Sequence, residues 1–369
     1  MLKNSQLEPK QINSLLWLFI LYCGSIGFAY LVPHILHGKF YIDSYSIIHS
    51  PSAIGIGVGS YPSTKFLLSP ILAFLELLGA DVEQYSLRYD LDFMLVNTVF
   101  IFLFLATFTV TFLSKPMKWN VIGIFTLFMM IVIYAPYYGV PNKEVIPYFI
   151  TFLFVLKVVR NETRNIPIQT VLLIYSLLIC IYSVYGRFYY LIFVILFLTH
   201  WFFRKSYPKI LLVYFLGCLG VLLVFDKSFF SIIYYARPST IIDITNTWIH
   251  YYFPDDQYIG FMLNRGTELF RLLFPFELLL SSPEYLPFVF FQLMTTYLVF
   301  LYIVKRKYNI TYISAIGVLA FTISQAVFEP DFGSYFRHKI FIFPFLYILF
   351  YQFAKDYKGT VFGKKITFK

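Results

Sequence analysis

The sequence predicts an all-α, polytopic integral membrane protein, and three observations lead to that fold class. Hydrophobic residues make up 59% of the 369 residues and charged residues only 13%, a balance outside the range of soluble domains. The apolar residues gather in long runs, and a hydrocarbon core of roughly 30 Å needs about 20 helical residues. The basic residues fall mainly in the short breaks between those runs, which orients a multispan chain.

Ten apolar runs cross, or nearly cross, the hydrocarbon core if they are helical. They extend over Ser14–Leu36, Phe93–Ser114, Trp119–Tyr138, Val145–Val159, Ile168–Tyr185, Phe188–Phe203, Ile210–Phe225, Tyr285–Val304, Ile310–Phe328 and Ile340–Ala354. Two shorter runs, Phe66–Leu78 and Leu269–Leu280, are interrupted by proline and charged residues. We predict about ten transmembrane helices and two short outer-face half-helices, or twelve transmembrane helices if both short runs cross.

The basic breaks predict the orientation of the chain. Six breaks, including both chain ends, fall on one side if only the ten long runs cross; they hold 18 of the 29 Lys and Arg residues. Positively charged loops stay inside, so both termini are predicted to be cytoplasmic. If both short runs crossed, the breaks at Lys115, Arg160 and Arg204 would face outward, against this rule. Topology also explains the net charge of +10 without a nucleic-acid partner.

The chain has no internal repeat and no low-complexity linker, so we predict a single membrane domain over residues 1–369. Its largest polar segment, residues 226–266, mixes aromatic and acidic residues and is predicted to be an outer-face cap on the membrane surface. The three cysteines lie in apolar runs without metal-ligand spacing, so neither a disulfide framework nor a metal site is predicted.

Polar side chains collect on the predicted outer face in five short segments. These are Asp43, the turn Asn142-Lys143-Glu144, Arg187, the stretch from Asn264 to Arg271, and the stretch from Glu329 to Lys339. Four apolar runs are predicted to start a helix at this face, and each follows a cation. The cations are Lys143, Arg187, Arg265 and the run Arg337-His338-Lys339. A cation at a helix N-terminus is unfavourable by roughly 0.3–1 kcal/mol, so this pattern indicates an anion nearby.

Two kinds of anion fit this pattern. Nearby carboxylates, among them Glu144, Glu268, Glu329 and Asp331, could form structural ion pairs with the cations. Alternatively, arginine side chains at helix N-termini bind the diphosphate of a ligand. A general base is needed in the second case, and the candidates are His338, Glu329, Asp43 and Glu144. Neighbouring cations keep a histidine neutral, which is the state that a base requires.

The chain resembles bacterial O-antigen and capsular polysaccharide polymerases over its whole architecture. The shared features are a small polytopic chain rich in Phe, Tyr and Lys, the Pro141-Asn142-Lys143-Glu144-Val145-Ile146 turn, Asp43 in the first outer loop, the large late outer segment and the closing Arg337-His338 pair. The resemblance implies a metal-independent, cofactor-free glycosyltransferase of the bacterial cytoplasmic (inner) membrane that makes lipopolysaccharide or capsule. Such an enzyme joins oligosaccharide units carried on undecaprenyl diphosphate at the periplasmic face, and a chain-length regulator protein is a further expected partner.

The resemblance also suggests roles for the outer-face residues. His338 or Glu329 is the expected base, and Asp43 and Glu144 are further catalytic candidates. Diphosphate or sugar is expected to contact Arg187, Arg265, Arg337, Lys143, Asn142, Asp331, Arg271 and Lys339.

Three other functions stay open at this stage. A multi-span glycosyltransferase with a polyprenyl-phosphate sugar donor would use Asp43 as its base and add single sugars. A lipid-linked oligosaccharide flippase or other transporter should carry polar residues along its span interiors, and here these interiors are nearly bare. A purely structural membrane protein would leave the outer-face cations unexplained.

Overall fold

The computed structural model describes residues 9–35, 42–56, 58–85, 91–118, 120–134, 137, 139–161, 167–224, 247, 249–254, 258–329 and 331–357. Within these ranges the chain is helical and contains no β-strand, which confirms the predicted all-α class. Most of the predicted cap at 226–266 lies outside the described residues.

Fifteen α-helices occur in the described ranges, numbered here in chain order. They are α1 (Pro9–Ile35), α2 (Ile42–His49), α3 (Ser60–Leu77), α4 (Leu91–Ser114), α5 (Val121–Met129), α6 (Val145–Asn161), α7 (Ile168–Tyr185), α8 (Tyr189–Phe202), α9 (Tyr207–Val224), α10 (Tyr258–Leu273), α11 (Phe276–Ser281), α12 (Leu286–Val304), α13 (Ile310–Phe328), α14 (Phe332–His338) and α15 (Phe343–Asp356). A π-helical turn, Met130–Tyr134, extends α5.

Within the described ranges, each of the ten long apolar runs contains a helix. Among the described residues, four helical segments are long and apolar enough to cross a membrane: Asp92–Leu113, Ile168–Tyr185, Pro283–Val304 and Ile310–Phe328. Several further apolar helices are shorter. These helices indicate a membrane-embedded protein, because a water-soluble domain has no use for uninterrupted apolar stretches of this length. The span count and the side of each terminus stay predictions.

The short run Leu269–Leu280 does not form one helix. It is divided between α10, which ends at Leu273, and α11, which follows Pro275. Proline lacks the N–H that would continue the hydrogen-bond ladder, so a break at this position is expected. The other short run lies within α3, and Pro70 is accommodated inside that helix.

Packing divides the chain into two compact units. The first unit comprises Met1–Tyr175, Val184–Arg187 and Tyr347–Lys369, and the second comprises Ser176–Ser183 and Phe188–Leu346. In the first unit, α1 packs against α4, and the Trp17 ring stacks on Phe112 with ring centroids 4.2 Å apart. The single domain predicted for residues 1–369 stays a prediction.

The second unit is built around α13, which is buried along nearly its whole length. Helices α8, α10 and α12 all pack against it. Gly317 permits the close approach of Phe345, because a Cβ atom at this position would lie 2.6 Å from the Phe345 ring. The C-terminal end of α13, with Gln325 and Glu329, is therefore enclosed by protein.

Candidate functional site

In the first unit, Asn142 builds the turn that leads into α6. Its side-chain Nδ2 donates to the Tyr137 carbonyl oxygen at 2.6 Å, and its Oδ1 accepts from the backbone N–H of Glu144 at 2.8 Å. All three residues of the Asn142-Lys143-Glu144 turn are buried. Asn142 is thus committed to backbone groups, and it fixes the positions of the two charged residues that follow.

Lys143 contacts Asp43, the acidic residue of the first predicted outer loop. The Lys143 Nζ lies 3.4 Å from an Asp43 carboxylate oxygen and 4.1 Å from the centroid of the Tyr61 ring. The Tyr61 hydroxyl donates to Asp43 Oδ1 at 2.7 Å. Asp43 also lies in the first turn of α2, where the helix macrodipole favours a negative charge. Three favourable contacts therefore stabilise the ionised form of Asp43.

Glu144 pairs with Arg187, with 3.0 Å between Oε1 and Nη1 and with both side chains largely buried. Lys143 precedes α6 and Arg187 precedes α8, so the predicted placement of these two cations at helix N-termini is confirmed. Each contacts a carboxylate of the same unit. The carboxylate alternative drawn from the sequence accounts for both of them.

Arg265 corrects the sequence prediction, because it does not lie at a helix N-terminus. Helix α10 begins at Tyr258, seven residues earlier, so Arg265 lies in mid-helix. The polar residues that interrupt the apolar pattern do not break the helix, since they are buried and have partners. The Arg265 Nη1 lies 2.8 Å from Glu268 Oε2, one turn along α10.

The segment before α10 adds a phenol to this pair. The Tyr251 hydroxyl donates to Glu268 Oε2 at 2.9 Å and accepts a hydrogen bond from Arg265. Asn264 holds the segment in place, because its Oδ1 accepts from Phe253 N at 3.1 Å and its Nδ2 donates to Phe253 O at 2.8 Å. Gly260 is required for this close approach, since a Cβ atom there would lie 1.9 Å from the Pro254 carbonyl oxygen.

Glu268 is the most strongly perturbed acid of this cluster. Burial raises the pKa of Glu268 to about 8, although the charge of Arg265 and the hydrogen bonds from Arg265 and Tyr251 act in the opposite direction. The negative charge of Glu329 raises this pKa further. Glu268 therefore exchanges its proton close to neutral pH, where a catalytic or switching group is useful.

His338 and Glu329 form a second buried pair in the same unit. Glu329 follows the last turn of α13, and His338 lies in the last turn of α14. The His338 Nδ1 lies 3.3 Å from Glu329 Oε1 and 3.1 Å from Gln325 Oε1. Two acceptors at Nδ1 favour the tautomer with its proton on that nitrogen, which leaves Nε2 as the proton acceptor. This arrangement is that of a histidine oriented by an acid for general-base chemistry.

The run Arg337-His338-Lys339 also departs from the sequence prediction. Arg337 and His338 form the last turn of α14, and Lys339 is its C-cap, whereas α15 begins only at Phe343. Cations at a helix C-terminus are favoured by the macrodipole, so helix polarity alone requires no anion here. The charge argument that led to these residues is wrong. His338 and Glu329, which the sequence offered as alternative bases, contact each other.

Lys339 and Asp331 both make contacts that stabilise the fold around α14. The Lys339 side chain is fully buried; its Nζ donates to Gln292 Oε1 and lies 4.2 Å from the centroid of the Phe336 ring. Asp331 caps α14, because its Oδ2 accepts from the Ser334 N–H at 2.8 Å. Lys339 is thus enclosed by protein, and Asp331, which is partly buried, serves as a helix cap.

Arg271 joins the two helices on either side of the Pro275 break. Its Nε donates to Glu277 Oε1 at 2.7 Å, and its Nη1 donates to the His250 carbonyl oxygen at 2.6 Å. The side chain is partly buried. Arg271 thus connects α10, α11 and the segment before α10.

Sequence reasoning missed four polar partners of the site: Tyr61, Tyr251, Gln292 and Gln325. Gln292 and Gln325 lie within long apolar runs, and a polar side chain in such a run is itself a signal of function or pairing. The two tyrosines carry no such signal, because tyrosine is common throughout this sequence.

Across the described ranges, no group of three or more His, Cys, Asp or Glu side chains is placed to hold a metal ion, and the predicted metal-independent chemistry stays a prediction.

Comparisons with protein-family models, with curated proteins and with solved structures find no match for this chain.

Proposed function

We propose that this chain is a glycosyltransferase of the bacterial cytoplasmic membrane that joins oligosaccharide units carried on undecaprenyl diphosphate. The observation that supports the proposal best is the buried His338–Glu329 pair, in which a carboxylate contacts Nδ1 of a histidine. Activation of a sugar hydroxyl is the chemistry that such a pair performs. The polar cluster around Glu268 belongs to the same unit. It contains Arg265, whose positive charge suits the lipid diphosphate that leaves in this reaction.

In this proposal, the acceptor hydroxyl transfers its proton to His338 Nε2 while its oxygen attacks the anomeric carbon of the donor sugar. The bond between that carbon and the diphosphate oxygen breaks, and the lipid diphosphate leaves with the electron pair. Glu329 stabilises the imidazolium that forms. The transferred sugar chain thereby gains one repeat unit without a nucleotide sugar.

Arg265 is the proposed diphosphate contact, with Arg337 as a second. A paired arginine is a poor anion ligand while its carboxylate is ionised. With a pKa of about 8, Glu268 is largely protonated at neutral pH, so the Arg265 charge is then not neutralised by it. Such a charge acts strongly on a leaving group in a site with little water.

The proposed topology has ten spans, both termini in the cytoplasm and the active site at the periplasmic face. A membrane-impermeant maleimide tests it on single-cysteine variants that lack the native cysteines. We expect Ser52→Cys to be labelled in intact cells, and Lys118→Cys and Lys307→Cys only after permeabilisation. The reverse pattern would contradict the proposed orientation.

Reconstitution tests the activity. The purified protein in lipid vesicles is incubated with a lipid-linked repeat unit, and the products are separated by length. Polymers of several units support the proposal. Addition of single sugars from a polyprenyl-monophosphate donor would instead favour the glycosyltransferase with Asp43 as base.

Transport is the second candidate, and one observation favours it. Helices α12 and α13 bury polar side chains that hydropathy alone does not reveal, among them Gln292, Thr295 and Ser314. Buried polar groups along spans are typical of transport pathways. Movement of the lipid-linked unit between leaflets without covalent change would support this candidate and contradict the polymerase.

A further inference from the structure

Helix α10 has its polar face turned into the protein and its apolar face turned outward. Its exposed residues are Ile259, Leu263, Gly266 and Phe270, at spacings of four, three and four, so they form one stripe along the helix. The exposed fractions of the three large side chains are 74%, 45% and 61%. Asn264, Arg265 and Glu268 are buried on the other side.

This polarity is the reverse of that of an amphipathic helix in water. Such a helix buries its apolar stripe against a core and presents its polar face to solvent. Three large apolar side chains left in water would lose the stabilisation that burial gives them. In lipid the preference inverts, because acyl chains accept apolar side chains and charged groups must find partners inside the protein.

The surface around the stripe shows the same polarity. The apolar exposure continues onto α11, where Phe276 is 52% and Leu280 is 89% exposed. A groove of about 560 Å³ lies beside the stripe, and Leu263 and Phe270 contribute to its apolar wall.

The polar groups of the same groove come from Tyr252, Thr267, Arg271 and Glu277. Arg271 is paired with Glu277, so this polar end of the groove has no unbalanced charge. An aromatic ring beside an arginine is the combination found where lipid headgroups meet acyl chains. The groove thus has an apolar wall that suits acyl chains and a polar end that suits the level of the headgroups.

We propose that α10 and α11 lie within one leaflet of the bilayer without crossing it, with the Ile259, Leu263 and Phe270 stripe against phospholipid acyl chains. Helix α10 ends at Leu273 and is separated from α11 by Pro275, so the two helices do not form one continuous span. The inference rests on the polarity of this helix and not on the proposed glycosyl transfer. It moves residues 258–266 from the predicted cap on the membrane surface into the lipid of one leaflet.

Nitroxide labels at single cysteines test this placement. The variants are Leu263→Cys and Phe270→Cys in a protein that lacks its native cysteines, reconstituted in phosphatidylethanolamine and phosphatidylglycerol vesicles. Leu177→Cys, on the exposed face of the candidate span Ile168–Tyr185, is the lipid reference, and Lys307→Cys in a basic loop is the aqueous reference. Power saturation compares collisions with oxygen, which partitions into lipid, and with a water-soluble nickel chelate.

We expect both α10 labels to collide with oxygen as often as the Leu177 label does and to be protected from the nickel chelate. Accessibility to the chelate equal to that of the Lys307 label would overturn the proposal. Protection from both reagents would also overturn it, since another protein surface would then cover the stripe. Ile259→Cys, the most exposed of the three positions, replaces either variant that fails to fold by circular dichroism.

Discussion

The two compact units handle buried charge in different ways. In the first unit, each buried carboxylate contacts a lysine or an arginine: Asp43 contacts Lys143, and Glu144 contacts Arg187. In the second unit, Glu268 contacts Arg265, but Glu329 contacts a histidine, whose charge depends on pH. The pKa of Glu268 is also raised by burial to about 8.

This difference separates structural ion pairs from groups suited to proton transfer. An opposite charge beside a carboxylate favours its ionised form and makes it a weaker base, unless burial outweighs that charge, as it does at Glu268. A histidine hydrogen-bonded to a carboxylate is the usual arrangement of a general base, because the imidazole can take up and release a proton during a reaction. The comparison favours His338 and Glu329 over Asp43 and Glu144 as the reacting groups.

The largest effect is expected when the His338–Glu329 pair is broken. We expect His338→Gln and Glu329→Gln each to lower the rate of polymer formation by about 10²–10⁴-fold, the usual contribution of a general base. The histidine variant removes the proton acceptor, and the glutamate variant removes the charge that orients it. Product lengths from the reconstituted reaction provide the measurement.

His200→Gln is the matched control for this prediction. His200 is a buried histidine on α8 whose Nδ1 donates to the Leu196 carbonyl oxygen. It lies 11 residues along α8 from Tyr189, whose ring faces His338, and this separation corresponds to about 16 Å. We expect near-normal polymer formation. An equal loss in both histidine variants would indicate a general folding defect and contradict the assignment.

The next effect concerns the stability of the Arg265–Glu268 pair. Arg265→Met leaves Glu268 buried without its cation, and breaking a buried pair in this way costs about 3–5 kcal/mol. We expect this loss at pH 9, where Glu268 is ionised, and a smaller loss at pH 6, where it is protonated. Thermal unfolding in detergent measures both. A loss that does not change with pH would contradict the raised pKa of Glu268.

Glu268→Gln tests the raised pKa of Glu268 directly, because it removes the titrating group and leaves Arg265 in place. The folded-state pKa of about 8 lies above the ordinary value of 4.5, so the folded protein binds the extra proton between these pH values. The stability that Glu268 contributes is therefore complete below pH 4.5 and is lost as pH rises to about 8. We expect wild type to lose on the order of a few kcal/mol relative to Glu268→Gln over that window. If the stability of the two proteins changed with pH in parallel, the raised pKa of Glu268 would be ruled out. Arg265, Tyr251 and Glu329 are present in both proteins, so a difference between the two curves reports on Glu268 itself.

Hydropathy predicted the helices of this chain well and their partners poorly. Each of the ten long apolar runs contains a helix in the described ranges. The local pattern of apolar residues is enough to predict such a helix, because it can be buried in lipid or in protein. The start of α10 could not be predicted, since Asn264, Arg265 and Glu268 look like a break when their partners are unknown. Pairing across the chain, such as Asp43 with Lys143 one hundred residues later, depends on tertiary packing.

The adjacent residues Lys143 and Glu144 show why sequence proximity misleads. They are neighbours, yet Lys143 contacts Asp43 and Glu144 contacts Arg187. The Asn142 side chain orders the turn and lets the two side chains point to different partners. A base could therefore not be chosen from the sequence, because the sequence does not show which cation contacts which candidate.

A moderate effect on stability is expected in the first unit, when the Asp43–Lys143 pair is broken. We expect Asp43→Asn and Lys143→Met each to lower stability, and their combination to cost less than the sum, with a coupling energy of about 0.5–3 kcal/mol. Folded Asp43→Asn should still form polymer, because this carboxylate only anchors the turn. Tyr61→Phe, which removes one hydrogen bond to Asp43, is the matched control. Intact folding with complete loss of activity in Asp43→Asn would make Asp43 the base.

The smallest effect is expected at Lys339. Its side chain is fully buried among the rings of Tyr335 and Phe336 and donates to Gln292, and no carboxylate of the described residues lies within ion-pair distance. Burying an ammonium group away from a counter-ion is costly, so the aromatic rings recover only part of what its hydration supplied. Lys339→Met keeps the length of the side chain and removes that cost together with one hydrogen bond. We therefore expect stability to change by no more than about 1 kcal/mol, and polymer formation to persist. If Lys339→Met instead folded normally but lost activity as fully as His338→Gln, the lysine would belong with the reacting groups, and the contrast between structural and titrating charges would fail within the second unit itself.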